Sequence, residues 1–127
     1  IPMWLKKFAD NNGFETAIFY QGKLVGMIGL HYIDWTNQTT EIGYWLSERV
    51  QGKGIMTRAV KGLVSYCYEE LNLNRVVIRA AVKNTKSRAI PERLEFKEEG
   101  ILREAQKIRG ISHDLAIYSK LKHEWKK

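Results

Sequence analysis

The run Gln51-Gly52-Lys53-Gly54-Ile55-Met56 sets two glycines and a lysine immediately before a stretch with helical apolar spacing. A helix N-terminus leaves backbone N–H groups without acceptors and carries partial positive charge, so it suits phosphate. Glycines there let a ligand approach the backbone and adopt positive φ cheaply, and Lys53 adds a cation. The segment predicts a cradle for a phosphorylated cofactor. It is neither of the two better-known motifs: a Walker A loop needs Ser or Thr where Gly54 stands, and a dinucleotide fingerprint needs a third glycine where Thr57 stands. A plain glycine-containing connection is the competing reading. Other chemistry is sparse. His31, His113 and His123 lack ligand spacing, so no metal is expected. Cys67 stands alone in an apolar helical stretch, which makes it a packed thiol rather than a nucleophile. A single cysteine allows no intrachain disulfide and points to a reducing, cytoplasmic compartment.

The elements that must hold this loop are read from pattern. Residues 3–11 suggest the end of a helix, stopped by Asn11-Asn12-Gly13. Residues 14–20, 24–32 and 39–46 have strand composition and are separated by polar turns, which predicts an antiparallel meander. Ile55, Ala59, Leu63, Cys67 and Leu71 then recur at helical spacing over 55–71, and 75–82 is a strand. Strand, helix, strand implies a right-handed crossover and a parallel pair. A shorter helix is expected over 85–94, kinked or shortened by Pro91, followed by strands over 100–107 and 114–121. The expected class is α/β of the mixed α+β kind, one domain over residues 1–127, with no repeat or linker.

The 127 residues, 44% hydrophobic and 28% charged, suit a single globular core. No apolar run is long enough to span a bilayer, so no membrane partner is expected. The net charge of +7 raises nucleic acid, but the cations are scattered among acids, and only 120–127 resembles a basic tail. Solvated surface is the better reading, with no direct nucleic-acid contact. A positive field would equally favour a polyanionic small ligand or an acidic protein.

Four stretches in order, Glu41-Ile42-Gly43-Tyr44-Trp45-Leu46, the 51–59 loop, Asn84-Thr85-Lys86-Ser87 and the 94–100 turn, resemble the GNAT acetyltransferases. The nearest wording is that of the RimL/RimJ-like ribosomal-protein N-acetyltransferases. The resemblance covers essentially the whole chain and implies a central, mostly antiparallel mixed sheet flanked by helices. It implies acetyl-coenzyme A as cosubstrate and attack of an amine on the thioester in a ternary complex. The expected acceptor is the N-terminal α-amine of a protein, with ribosomal proteins the candidates the resemblance implies; a polyamine or other small amine is the alternative, and a non-catalytic coenzyme A-binding module the third. By resemblance, the backbone of Gln51, Gly52, Lys53, Gly54, Ile55, Met56 and Thr57 wraps the pyrophosphate. Tyr44, Trp45 and Leu46 offer their strand backbone to the pantetheine arm, as does Asn84 its amide, unless it only caps the helix. Glu41 serves the acceptor amine, directly or through water, and His31 on the preceding strand could face the same cleft. Ser87 is the donor to the leaving thiolate, because Pro91 occupies the place where many relatives carry a tyrosine acid.

The departures are as informative. Met56 stands where the family prefers Gly or Ala and would crowd the loop unless it turns away. Glu95 replaces a turn glycine, where positive φ costs a glutamate roughly 1 kcal/mol. The match also begins after the family's first strand and helices. The chain therefore reads as N-terminally incomplete, with strand 14–20 left as a bare edge through which copies could self-associate.

Overall fold

The computed structural model describes residues 3–7 and 13–125. They form one seven-stranded sheet in the order β1-β2-β3-β4-β5-β7-β6. The strands are β1 (Met3–Lys7), β2 (Phe14–Tyr20), β3 (Lys23–Asp34), β4 (Thr39–Leu46), β5 (Arg75–Ala81), β6 (Lys97–Ile108) and β7 (Ile111–Leu121). Helix α1 (Ile55–Glu69) links β4 to β5, and α2 (Thr85–Arg93) links β5 to β6. Every neighbouring pair is antiparallel except β4–β5, which is parallel, as the crossover requires. The mixed, mostly antiparallel sheet flanked by helices is thus as expected.

Both helices lie on one face. Ile55, Val60, Leu63, Val64 and Cys67 of α1 and Ile90 of α2 share a single core with Ile28, Ile42 and Ile78 of the sheet. Met56 is buried in this core, so its side chain turns away from the loop. Cys67 is fully enclosed, and burial pushes its thiol up to about 12, which makes it inert. No helix of the described residues is long and apolar enough to cross a membrane.

Two expectations are corrected. Met3–Lys7 is a strand, paired antiparallel with Phe14–Tyr20 from Met3↔Ile18 to Lys7↔Phe14. A helical stretch as short as residues 3–11 is marginal by itself, whereas the free edge of β2 offers a full ladder. The stop signal at Asn11 and Asn12 lies outside the described residues. Because β1 covers it, β2 is not the bare edge on which self-association was argued. The final hairpin is also longer than 100–107 and 114–121, closing through Arg109 (φ 52°) and Gly110 (φ 79°). Positive φ at both turn residues suits a tight hairpin. The charges of Lys97–Ile108 belong to an exposed edge strand, where alternation is weak and charge blocks further pairing.

Candidate active site

The sheet opens at its centre. β4 pairs with β3 as far as Gly26↔Leu46, but with β5 only from Thr39↔Arg75 to Ile42↔Ile78. Beyond that point β5 continues with β7 to Ala81↔Leu115. From Gly43 onward β4 therefore has no ladder on its β5 side, and a seam separates the two halves of the sheet.

On the helix face the seam becomes a groove of about 1210 Å³, lined by 44–48, the glycine loop, the start of α1, and Asn84, Lys86, Ser87, Ile90 and Arg93. Of the residues expected to hold a cofactor, Tyr44, Trp45, Leu46, Gln51, Gly52, Gly54, Ile55, Met56, Thr57, Asn84 and Ser87 all line it; Lys53 does not. Gly54 is the N-cap of α1 with φ 74° and no side-chain cap, and the first turn contains no acid. The first helical bond of that turn runs from the Arg58 N–H to the Gly54 carbonyl at 3.1 Å. The N–H groups of Ile55, Met56 and Thr57 consequently have no helical acceptor, which is the donor set a pyrophosphate fits. Arg58, Lys86 and Arg93 add positive charge around the groove. The residues present therefore suit coenzyme A: orphan donors for its pyrophosphate and an unpaired strand edge for its pantetheine amides.

Two contacts span the groove, and a third braces its β4 wall. Gln51 donates its amide to the Leu46 carbonyl at 3.1 Å and accepts from Lys86 Nζ at 3.1 Å. The Tyr44 hydroxyl donates to the Ser87 carbonyl at 2.9 Å. That carbonyl is available because Pro91, four residues on, has no N–H to give it. Asn84 caps α2, its side chain accepting from the Ser87 N–H at 3.0 Å. The Ser87 hydroxyl makes no hydrogen bond to a described residue. Pro91 leaves α2 unbroken, since its fixed φ is helical and Tyr44 satisfies the freed carbonyl.

The other face of the seam carries the acid. Glu41 is 5% exposed, yet its carboxylate is fully engaged. His31 Nδ1 lies 3.1 Å from Oε2, while Arg79 Nε lies 3.1 Å from Oε2 and 3.0 Å from Oε1. Burial pushes the Glu41 carboxyl up, but the hydrogen bonds from His31 and Arg79 outweigh it and hold the group below its ordinary range. The hydrogen bond to Glu41 raises His31. A β-bulge sets this geometry: Leu30 faces Ile42 and Tyr32 faces Glu41, so His31 is the extra residue between them. Its ring covers Gly43, where any Cβ would fall inside the imidazole. Sequence reasoning placed Glu41 and His31 on neighbouring strands but missed Arg79, Lys86 and the Tyr44 hydroxyl. Arg75 and Arg79 on one face of a strand beside Glu41 were the available signal. The Trp45 side chain is 62% exposed.

Comparison with known proteins identifies the family. Residues 2–97 match the model of an acetyltransferase (GNAT) domain. The chain is 52% identical over 125 residues to the Bacillus subtilis (strain 168) protein named "Putative ribosomal N-acetyltransferase YdaF", covering 98% of this chain and 68% of that one. It is 35% identical over 104 residues to the ribosomal-protein-serine acetyltransferase of Escherichia coli (strain K12), covering 82% and 58%. The solved structure of the ribosomal L7/L12 alpha-N-protein acetyltransferase RimL with coenzyme A superposes with a TM-score of 0.83 at 30% identity, covering 88% and 63%. The chain thus spans about three-fifths to two-thirds of the length of these relatives. With the glycine-capped helix, the open seam and a family match over most of its length, the chain belongs to the GNAT acetyltransferases, a family of acetyl-coenzyme A-dependent N-acyltransferases.

Proposed function

We propose that the protein transfers an acetyl group from acetyl-coenzyme A to the N-terminal α-amine of an acidic protein, a ribosomal protein being the candidate the relatives' names suggest. The observation that carries this reading is the seam, which joins a groove lined by the α1 N-terminus on one face to an acid–imidazole pair on the other. When bound, acetyl-coenzyme A supplies an activated acetyl carbon and a thiolate leaving group. The chain's own work is to hold, align and move a proton. The α1 N-terminus and Arg58 hold phosphate. The open edge of β4 aligns the pantetheine arm, with Asn84 positioned beside it. Ser87 lines the groove and is the group for returning a proton, directly or through water, to the thiolate. The Glu41–His31 pair takes the proton from the amine. An α-amine, with a pKa near 8, needs less help than a lysine amine near 10.4. Proximity supplies much of the rate.

Charge favours an acidic polypeptide over a polyamine. Arg79 at the seam is already paired with Glu41, so the bias comes from the chain as a whole, which carries +7. A polycation would meet repulsion from that overall field. The test is thiol release from acetyl-coenzyme A over a panel of acidic peptides with free α-amines, the same peptides blocked at the N-terminus, and spermidine. Turnover should require the free α-amine. Turnover of spermidine with none of the peptides would overturn the assignment.

A further inference from the structure

Taking acetyl transfer as the reaction, we infer that the atom accepting the proton from the amine is Nε2 of His31, and that Glu41 and Arg79 are positioning residues. The Glu41 carboxylate is a poor acceptor on geometric grounds. It is 5% exposed, and both oxygens face Arg79 while one also receives His31. An incoming amine would have to displace a guanidinium to reach it.

His31 has the complementary properties. An ionised carboxylate can only accept, so the imidazole nitrogen facing Glu41, Nδ1, must carry the hydrogen. The neutral ring then bears its lone pair on Nε2. Nε2 makes no hydrogen bond to a described residue, and the side chain is 59% exposed. It lies against Gly43, the first residue of β4 without a partner on β5. The base is therefore at the mouth of the seam, on the face opposite the groove, while the carboxylate behind it is anchored across the seam to β5 through Arg79. The bulge at His31 and the absence of a side chain at Gly43 both serve this placement.

The step balances without another reactant. The amine nitrogen forms its bond to the acetyl carbon, the carbon–sulfur bond breaks with its electron pair staying on sulfur, and a proton passes from nitrogen to Nε2. The resulting imidazolium is held by the hydrogen bond its Nδ1–H donates to Glu41. The charged groups acting on the ring are Glu41 on β4, Glu15 on β2 and Arg79 on β5, and the two acids favour the protonated form.

The experiment measures kcat against pH with saturating peptide α-amine, alongside coenzyme A affinity from thermal shift. His31→Gln keeps an amide near Glu41 but cannot take a proton. It should lower kcat about 100-fold or more, abolish the acidic limb of the profile and leave coenzyme A affinity unchanged. Glu41→Gln should keep a limb and move it to lower pH, because the imidazolium loses its counter-charge. Added imidazole should restore turnover to His31→Gly. A wild-type limb in His31→Gln, or its loss in Glu41→Gln with full activity in His31→Gln, would overturn the assignment in favour of the carboxylate. A failure of the wild type to acetylate any amine while still binding coenzyme A would instead overturn the acetyl-transfer reading beneath it.

Discussion

Proline at position 91 shows how one residue couples local backbone chemistry to the site. A helical Pro deprives the carbonyl four residues back of its donor, and in α2 that carbonyl belongs to Ser87. Tyr44 fills the gap from β4 at 2.9 Å, tying the two walls of the groove together. Tyr44 is largely enclosed, and burial pushes its phenol well above the ordinary value, so it acts as a neutral donor. Tyr44→Phe should cost about 1 kcal/mol, the net worth of an ordinary hydrogen bond. Pro91→Ala in that background supplies an N–H to the orphaned carbonyl. It should therefore be more favourable there than in the wild type, where Tyr44 already occupies the acceptor. Urea denaturation of the four proteins gives the coupling energy directly; strictly additive effects would show that the two donors do not compete for that carbonyl. The pairing was not legible in the sequence, which marked Pro91 only as an irregularity. Likewise Glu41 and His31 could be put on adjacent strands, but a bulge that crowds them together depends on a register no local pattern carries.

At the scale of elements, what was legible is what periodicity encodes. The span of β4 and the start of α1 match their patterns because Ile42, Ile55, Ala59 and Leu63 face one core. Met3–Lys7 escaped because five residues carry too little periodicity, and the strand expected over 100–107 was cut short of its full span, Lys97–Ile108, because an exposed edge strand need not alternate. The glycine loop was legible for a different reason, since the phosphate binding proposed for it requires a particular backbone. Gly54 sits at φ 74° as the N-cap of α1, and an added Cβ would press on Arg58. A β-branched residue tolerates that φ poorly. Gly54→Val should therefore deform the first turn of α1, whose three orphan N–H groups make the cradle. Coenzyme A should raise the melting temperature of the wild type, since binding only the folded state stabilises it, and that shift should vanish in Gly54→Val. Pantetheine without phosphates should shift the wild type far less. An equal shift from both ligands would remove the loop from phosphate binding.

The whole molecule is a sheet of two halves with a positive surface. Past Ile42 the halves are joined by side chains: Glu41 to Arg79 on one face, Tyr44 to Ser87 and Gln51 to Lys86 on the other. On the proposed reading, a single opening would serve two substrates from opposite faces while the shared core keeps the halves in place. The charge of +7, with a pI near 9.6, acts on both substrates. Its effect is on encounter rather than on chemistry, because surface charges steer diffusing ligands and are screened beyond about 8 Å at physiological salt. For an acidic peptide, kcat/KM should fall about tenfold as salt rises from roughly 0.01 M to 0.5 M, with kcat nearly constant. A neutral peptide with the same N-terminal residue should lose much less, since only its partner's charge is screened. Coenzyme A is a polyanion too, so it must be kept saturating throughout to isolate the acceptor. Parallel salt dependence for the acidic and neutral peptides would mean that the positive surface does not select the acceptor, and the acidic-polypeptide assignment would lose its electrostatic basis.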